Sequence, residues 1–144
     1  MENWIIYGLI ASICFGVNVI IYKLAATKGQ GLNPYLGGFS IGLGVFLFFF
    51  LVYLIKSPKF IPNWTGLTLA LIAGAMWALG MLMVALAIAK KGDVARLAPI
   101  YNTNTLIAVL LGIIFLKEIP AGSEIIKVVS GAVLIVIGAI LVSS

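Results

Sequence analysis

A run of polar side chains in the second half of the chain is the part of the sequence best suited to chemistry. Residues 101–105 read Tyr-Asn-Thr-Asn-Thr inside an otherwise apolar segment, two residues after Pro99. On a helix, three-and-four spacing would place five residues on one face: Tyr101, Asn104, Thr105, Ala108 and Gly112. Neutral amide, phenol and hydroxyl groups can hydrogen-bond a polar solute without the cost of burying a charge. We therefore expect solute binding at this face.

Pro99 should help to expose this face. A proline inside a helix removes one backbone hydrogen bond and kinks the chain, which leaves a carbonyl without its helical partner. The same polar side chains could instead join helices, because Asn and Thr hydrogen-bond between helices in membranes. One cluster can do both, so the two interpretations stand side by side.

Two residues outside this run are further candidates. Asn18 is an amide within the first apolar segment, and Trp77 lies thirteen residues past Trp64. At 1.5 Å per residue, Trp77 would lie about 20 Å deeper than Trp64, in the middle of a bilayer. It could stack on a solute or pack against neighbouring helices. The predicted substrate-binding residues are Asn18, Trp77, Tyr101, Asn102, Asn104 and Thr105.

The titratable residues exclude several classes of function. Histidine is absent, and the four acidic residues all lie at segment ends: Glu2, Asp93, Glu118 and Glu124. Paired carboxylates, metal-ligand clusters and His-assisted nucleophiles are therefore not expected within a span. We predict no enzyme activity, no metal and no cofactor. The solute should be neutral or zwitterionic, because no acid within a span is available to pair with a cation.

These side chains are positioned by apolar segments. The chain is 63% hydrophobic and 9% charged, far less charged than a soluble domain. We predict five membrane spans, at residues 4–24, 34–55, 65–89, 95–116 and 124–142. Lipid forces the backbone to satisfy its own hydrogen bonds, which predicts an all-α integral membrane bundle. The connections are short, so residues 1–144 should form a single five-helix transmembrane domain.

Local signals predict several segment ends. Asn33 should cap a helix that begins with Pro34, and Thr65 is predicted to cap the third span. Residues 1–3 provide no positive charge before the first span. We therefore expect that span to be retained rather than cleaved as a signal peptide.

The basic residues face lipid headgroups rather than nucleic acid. The net charge is +5, but the nine basic residues lie singly or in pairs near span ends. Five spans put alternate connections on opposite sides of the membrane. One side carries four basic residues: Lys56, Lys59, Lys117 and Lys127. The other side carries five: Lys23, Lys28, Lys90, Lys91 and Arg96.

This balance gives little bias for the positive-inside rule. Either the chain inserts in both orientations, or a partner fixes the orientation. A third possibility is that the cluster Lys90, Lys91 and Arg96 decides alone and places the N-terminus outside.

Small residues indicate where helices approach closely. Gly131 and Gly138 are seven residues apart on one stripe of the fifth span, whose core is small and apolar apart from Ser130. Small residues favour close helix packing in lipid. We predict a homodimer through the fifth helix.

Three stretches of the chain resemble a known family. Residues 11–18 (Ala-Ser-Ile-Cys-Phe-Gly-Val-Asn), residues 85–118 and residues 130–138 resemble the EamA-type domain of the drug/metabolite transporter superfamily. The resemblance covers essentially the whole chain. Most members carry two five-helix repeats of opposite orientation, and this chain resembles one repeat, as in the small bacterial and archaeal transporters.

The resemblance implies half of a ten-helix inverted-repeat architecture in a bacterial or archaeal cell membrane. It also implies export or exchange of small metabolites by alternating access, and it too favours the last helix as the pairing helix. The distantly related small multidrug resistance proteins carry an essential acid in the first helix. The first span here has no acid, so their proton-antiport mechanism is not carried over.

Two functions follow as hypotheses. In the first, the chain is a transporter subunit that works as a homodimer, with an antiparallel arrangement expected from the charge balance. In the second, it is a non-transporting accessory or assembly subunit that needs a different partner chain. The lipid bilayer surrounds the protein in both cases.

Overall fold

The regular structure is entirely helical in the part of the chain that the computed structural model describes, which is residues 3–28, 31–59, 63–118, 122 and 124–143. The α-helices are α1 (Asn3–Thr27), α2 (Pro34–Lys56), α3 (Trp64–Ala89), α4 (Val94–Tyr101), α5 (Asn104–Leu111) and α6 (Glu124–Ser143). A π-helical segment, Gly112–Leu116, directly follows α5. The prediction of an all-α fold is confirmed.

Five helical stretches are long and apolar enough to cross a membrane, which confirms the predicted number of spans. They are Trp4–Thr27, Pro34–Lys56, Trp64–Ala89, Val94–Leu116 and Glu124–Val142. The fourth of them combines α4, α5 and the π-helical segment.

The chain divides into two compact units, Met1–Lys91 and Gly92–Ser144. The prediction that residues 1–144 form a single domain therefore stays a prediction. In the first unit, α1, α2 and α3 all contact one another. Its buried residues are Val19 and Tyr22 on α1, Gly37 on α2, and Ala85 and Ile88 on α3. These positions lie towards the end where α1 and α3 finish and α2 begins, so the packing is concentrated there.

Gly37 allows the close approach of α1 and α2. A Cβ at this position would lie 2.6 Å from Tyr22 Oη and 2.8 Å from Tyr22 Cε2. Tyr22 is itself only 5% exposed, so its ring cannot easily move aside. A side chain at position 37 would therefore force the two helices apart.

We expect Gly37→Ala to lower the free energy of unfolding by about 1–3 kcal/mol, the usual cost of overpacking. The measurement is unfolding of the purified protein in detergent. Gly44→Ala on the same helix is the matched control, because a Cβ there meets nothing within 4 Å. Equal stability of the two variants would contradict the assigned role of Gly37.

In the second unit, α4 and α5 both pack against α6. The buried residues of α6 are Ala132 and Ala139, which are seven residues apart on one face. The neighbouring Gly131 and Gly138 meet nothing within 4 Å at the position of a Cβ. The alanine face of α6 thus packs within its own unit, whereas the glycine stripe has free space beside it.

One of the two predicted helix caps is confirmed and the other is wrong. Asn33 caps α2 as predicted: its Oδ1 accepts a hydrogen bond from the Tyr35 N–H at 2.9 Å. The prediction that Thr65 caps the third span is wrong. Asn63 Oδ1 accepts from the Gly66 N–H at 2.9 Å, and α3 begins at Trp64. Asparagine is the stronger N-cap, so the earlier residue takes this position.

Candidate functional site

The fourth span is interrupted at Asn102 and Thr103, between the end of α4 and the start of α5. The Thr103 N–H bonds to the Ile100 carbonyl at 3.2 Å, and the Thr105 N–H bonds to the Asn102 carbonyl at 3.1 Å. Both bonds reach three residues back instead of four. The polar run therefore forms a tight 3₁₀-type turn between two α-helices rather than part of one continuous helix.

The interruption follows from the chemistry of the polar side chains. Thr103 Oγ1 donates to the Ile100 carbonyl at 2.7 Å, the same acceptor that its own N–H uses. Short hydroxyl side chains compete with the helix for backbone groups in this way. Helix α4 continues through Pro99, so the discontinuity lies later than the proline at which a kink was predicted.

Because these two hydrogen bonds reach three residues back instead of four, two backbone carbonyls lose their usual donors. In a continuous α-helix, Thr103 and Thr105 would donate to the carbonyls of Pro99 and Tyr101. Here they donate elsewhere, so these two carbonyls lose those helical partners. A backbone carbonyl within a membrane needs another partner, such as water, a solute or a neighbouring chain.

The predicted binding residues of this span surround the turn. Tyr101 is half-buried, while Asn102, Asn104 and Thr105 are exposed. Within the described part of the chain, none of these four side chains has a hydrogen-bond partner.

Two other hydroxyls in the spans differ from Thr105. Ser40 Oγ donates to the Leu36 carbonyl at 2.9 Å, and Thr68 Oγ1 donates to the Trp64 carbonyl at 2.9 Å. Each is thus satisfied on its own helix, four residues back. Thr105 sits just past the turn and makes no such bond, so its hydroxyl stays available.

Part of the predicted face lines an open pocket in the second unit. The pocket has a volume of about 670 Å³, and its lining consists of Thr105, Ala108, Val109, Gly112, Ile113, Lys117, Glu118 and Val128. Thr105, Ala108 and Gly112 were predicted to share a face, and they do line this pocket together. Tyr101 and Asn104, predicted on the same face, are not part of its lining.

Lys117 and Glu118 are the charged pocket residues that the sequence did not predict, and the apolar Val109, Ile113 and Val128 were not predicted either. Lys117 and Glu118 were treated as residues at a segment end, but the chain turns back after the π-helical segment. Lys117 adopts a left-handed conformation (φ 56°), and both its N–H and that of Glu118 point to the Gly112 carbonyl. A Cβ on Gly112 would lie 3.8 Å from Glu118 Oε2, an ordinary contact, so the glycine itself was no signal of this position.

Trp77 lines a smaller pocket in the first unit, of about 250 Å³, between α2 and α3. Gly38 and Gly42 line the same pocket, as do Ala78 and Met81. Trp77 is 40% exposed. The small residues of α2 thus leave an open groove beside the indole.

Asn18 is half-buried on α1 and directly precedes the buried Val19. It lines neither pocket. Its amide has no hydrogen-bond partner among the described residues. Asn18 and Trp77 thus belong to the first unit, and the other four predicted residues belong to the second.

The described residues do not gather the donor atoms of a metal site. In that part of the chain, no three His, Cys, Asp or Glu side chains come together. The groups available for binding are neutral amides, hydroxyls, aromatic rings and one pair of opposite charges at Lys117 and Glu118. Such a set has the donors and acceptors that hydrogen bonding to a polar solute requires.

Comparison with known proteins supports the membrane fold. Residues 2–144 match the EamA-like transporter family. An uncharacterized protein of Methanocaldococcus jannaschii is 29% identical over 143 residues, which is 99% of this chain and 98% of that protein. No solved structure matches the chain. With five helices of membrane-spanning length and a family match over nearly its whole length, the chain is a multi-pass membrane protein that belongs to the EamA-like transporter family.

Proposed function

We propose that this protein is a transporter subunit that moves a small polar metabolite across the cell membrane of a bacterium or archaeon by alternating access. The observation that carries the proposal is the interrupted fourth span. Its turn brings amide, phenol and hydroxyl groups into an apolar span, and these groups have no hydrogen-bond partners among the described residues. The protein acts by binding and moving the solute, not by chemical conversion.

The physical argument rests on the cost of unpaired polar groups in lipid. Non-helical backbone at membrane depth is tolerated only where it is covered by protein or lines a water-filled cavity. Transporters commonly place such discontinuous helices at their binding sites, where freed backbone groups contact the solute. Asn102, Asn104 and Thr105 add side-chain donors and acceptors at the same level.

In this proposal, two copies of the chain form the complete transporter. The glycine stripe of α6 leaves room for a second helix, because Gly131 and Gly138 meet nothing within 4 Å at a Cβ position. The balance of four basic residues against five favours insertion in both orientations. The pair is therefore an antiparallel homodimer, equivalent to the inverted repeats of longer transporters.

The function itself is tested by solute flux. The purified chain, reconstituted alone in proteoliposomes, is expected to move its substrate without another protein. Candidate metabolites are first screened by thermal shift, since a ligand of the native state raises its apparent stability. Flux only after addition of a second, different chain would favour the accessory-subunit hypothesis instead.

Membrane orientation provides a separate prediction. Reporters fused to the C-terminus, one active in the cytoplasm and one active outside, are both expected to show activity. Inserting three lysines between Ser57 and Pro58 in the second connection should convert the mixture to one orientation, because the charge bias would then be clear. A single fixed orientation of the unaltered chain would contradict the antiparallel homodimer.

A further inference from the structure

The carboxylate of Glu118 lies beside a membrane-spanning helix rather than beyond its end. The Glu118 N–H bonds to the Gly112 carbonyl at 3.2 Å, across the left-handed turn at Lys117. A Cβ on Gly112 would lie 3.8 Å from Glu118 Oε2. The carboxylate thus lies close to a residue six positions earlier in the chain.

The backbone bond from Glu118 to Gly112 caps the helix end, but it does not require a charged side chain at position 118. The C-terminal end of a helix carries partial negative charge, which disfavours a nearby carboxylate. The neighbouring pocket walls Ala108, Val109 and Val128 are apolar and offer the exposed carboxylate no side-chain hydrogen-bond donor. Within the described residues, no ion pair holds Glu118. The carboxylate therefore has no charged partner among the described residues, and it stays available to a bound cation.

The pocket has the size and composition of a site for an organic molecule. Its volume of about 670 Å³ lies within the range of small-molecule sites, roughly 300–1,000 Å³. Thr105 contributes a hydroxyl, and Lys117 and Glu118 contribute charges of opposite sign. The remaining lining is apolar or glycine, so it suits the hydrocarbon part of a solute.

We propose that this pocket receives the ammonium group of the transported solute, and that Glu118 is the specificity-determining residue that pairs with it. This rests on the transport function proposed above and names its substrate class. An ammonium group occurs both in organic cations and in zwitterions. Lys117 borders the same pocket and would pair with the carboxylate of a zwitterion. The sequence-based expectation was a neutral or zwitterionic solute, and this proposal keeps the zwitterion and adds organic cations.

Cysteine reactivity tests the charge of the pocket without a known substrate. The only cysteine, Cys14, is replaced by serine, and Thr105→Cys provides one thiol in the pocket. The rates at which this thiol reacts with two methanethiosulfonates are measured. One reagent is cationic (trimethylammonium-ethyl) and the other is anionic (sulfonatoethyl), and each rate is normalised to that of a free thiol in solution. Taking the ratio removes any effect on thiol ionisation, since both reagents need the same thiolate.

The cationic reagent is expected to be favoured, and Glu118→Gln should lower the rate ratio by about three- to tenfold. Glu124→Gln is the matched control, since Glu124 is exposed on the first turn of α6 and does not line the pocket. Lys117→Gln should shift the ratio in the opposite direction. An unchanged ratio in Glu118→Gln, or a thiol that neither reagent reaches, would overturn the proposal.

Protection experiments separate the two solute classes. Phenethylammonium and phenylalanine differ only by a carboxylate, so both should slow labelling of Thr105→Cys if a zwitterion is accepted. Lys117→Gln should then remove protection by phenylalanine and leave protection by phenethylammonium. Protection by 3-phenylpropionate alone would contradict an ammonium site. These results do not depend on flux, so they remain informative if transport is not observed.

Discussion

Replacing Asn104 by alanine is expected to lower solute flux at least about tenfold, because a hydrogen bond to the solute is lost. Asn104 is the first residue of α5, exposed directly after the turn, and its amide has no partner among the described residues. The removed groups are therefore those that a solute would use. The measurement is uptake into proteoliposomes at equal protein content.

Ser40→Ala is the matched control for Asn104→Ala. Its hydroxyl also lies within a span, but it donates to the Leu36 carbonyl of its own helix. Removing it should leave flux within about twofold of the unaltered protein. Tyr101→Phe tests the same site with a smaller change, the loss of one hydroxyl.

The competing role of these residues, joining helices, gives a different pattern. If Asn104 acted only by joining helices, Asn104→Ala would lower thermal stability and leave the flux of the folded protein unchanged. Measuring both quantities on the same preparation separates the two roles. Unchanged flux for both Asn104→Ala and Tyr101→Phe would show that the proposed site is wrong.

Replacing Gly138 by leucine should weaken the dimer at least about tenfold and abolish most of the flux. A leucine side chain would fill the space into which a second α6 must fit, and close approach is the main source of helix association in lipid. Because the space beside Gly138 is open within its own chain, the fold of the subunit should tolerate the change better than the dimer does. Cross-linking through cysteines near Gly138 measures the association.

Val133→Leu is the control on the same helix. Val133 is 41% exposed and lies about 200° around α6 from Gly131, away from the glycine stripe. It should leave both cross-linking and flux unchanged. If the dimer persists in Gly138→Leu, the dimer interface is formed by another helix and not by the glycine stripe of α6.

The five spans could be predicted because each is a run of about twenty apolar residues, and lipid permits few alternatives to a helix. The cap at Asn33 was predictable because it depends only on neighbours in the sequence. The interruption at Asn102 and Thr103 was not, since it depends on whether a hydroxyl takes the Ile100 carbonyl from the helix. Hydropathy does not distinguish these outcomes.

Two features of the site needed three-dimensional information. The position of Glu118 beside Gly112 depends on a left-handed backbone at Lys117. Glycine or asparagine is the usual sequence signal for that conformation. The seven-residue spacing of Gly131 and Gly138 is repeated by Ala132 and Ala139. Spacing alone cannot tell which of two adjacent stripes packs within the chain, and here it is the alanine stripe.

The fourth span contains two changes of helical winding with opposite sign. Before α5 the backbone is overwound, with bonds three residues back, and after α5 it is underwound in the π-helical segment. The second change therefore unwinds part of the rotation that the first one adds. Helix α5 has eight residues, and its side chains are rotated about the helix axis relative to those of both neighbouring segments. A mutation that restores regular winding at one boundary alone would rotate every side chain beyond it relative to α6.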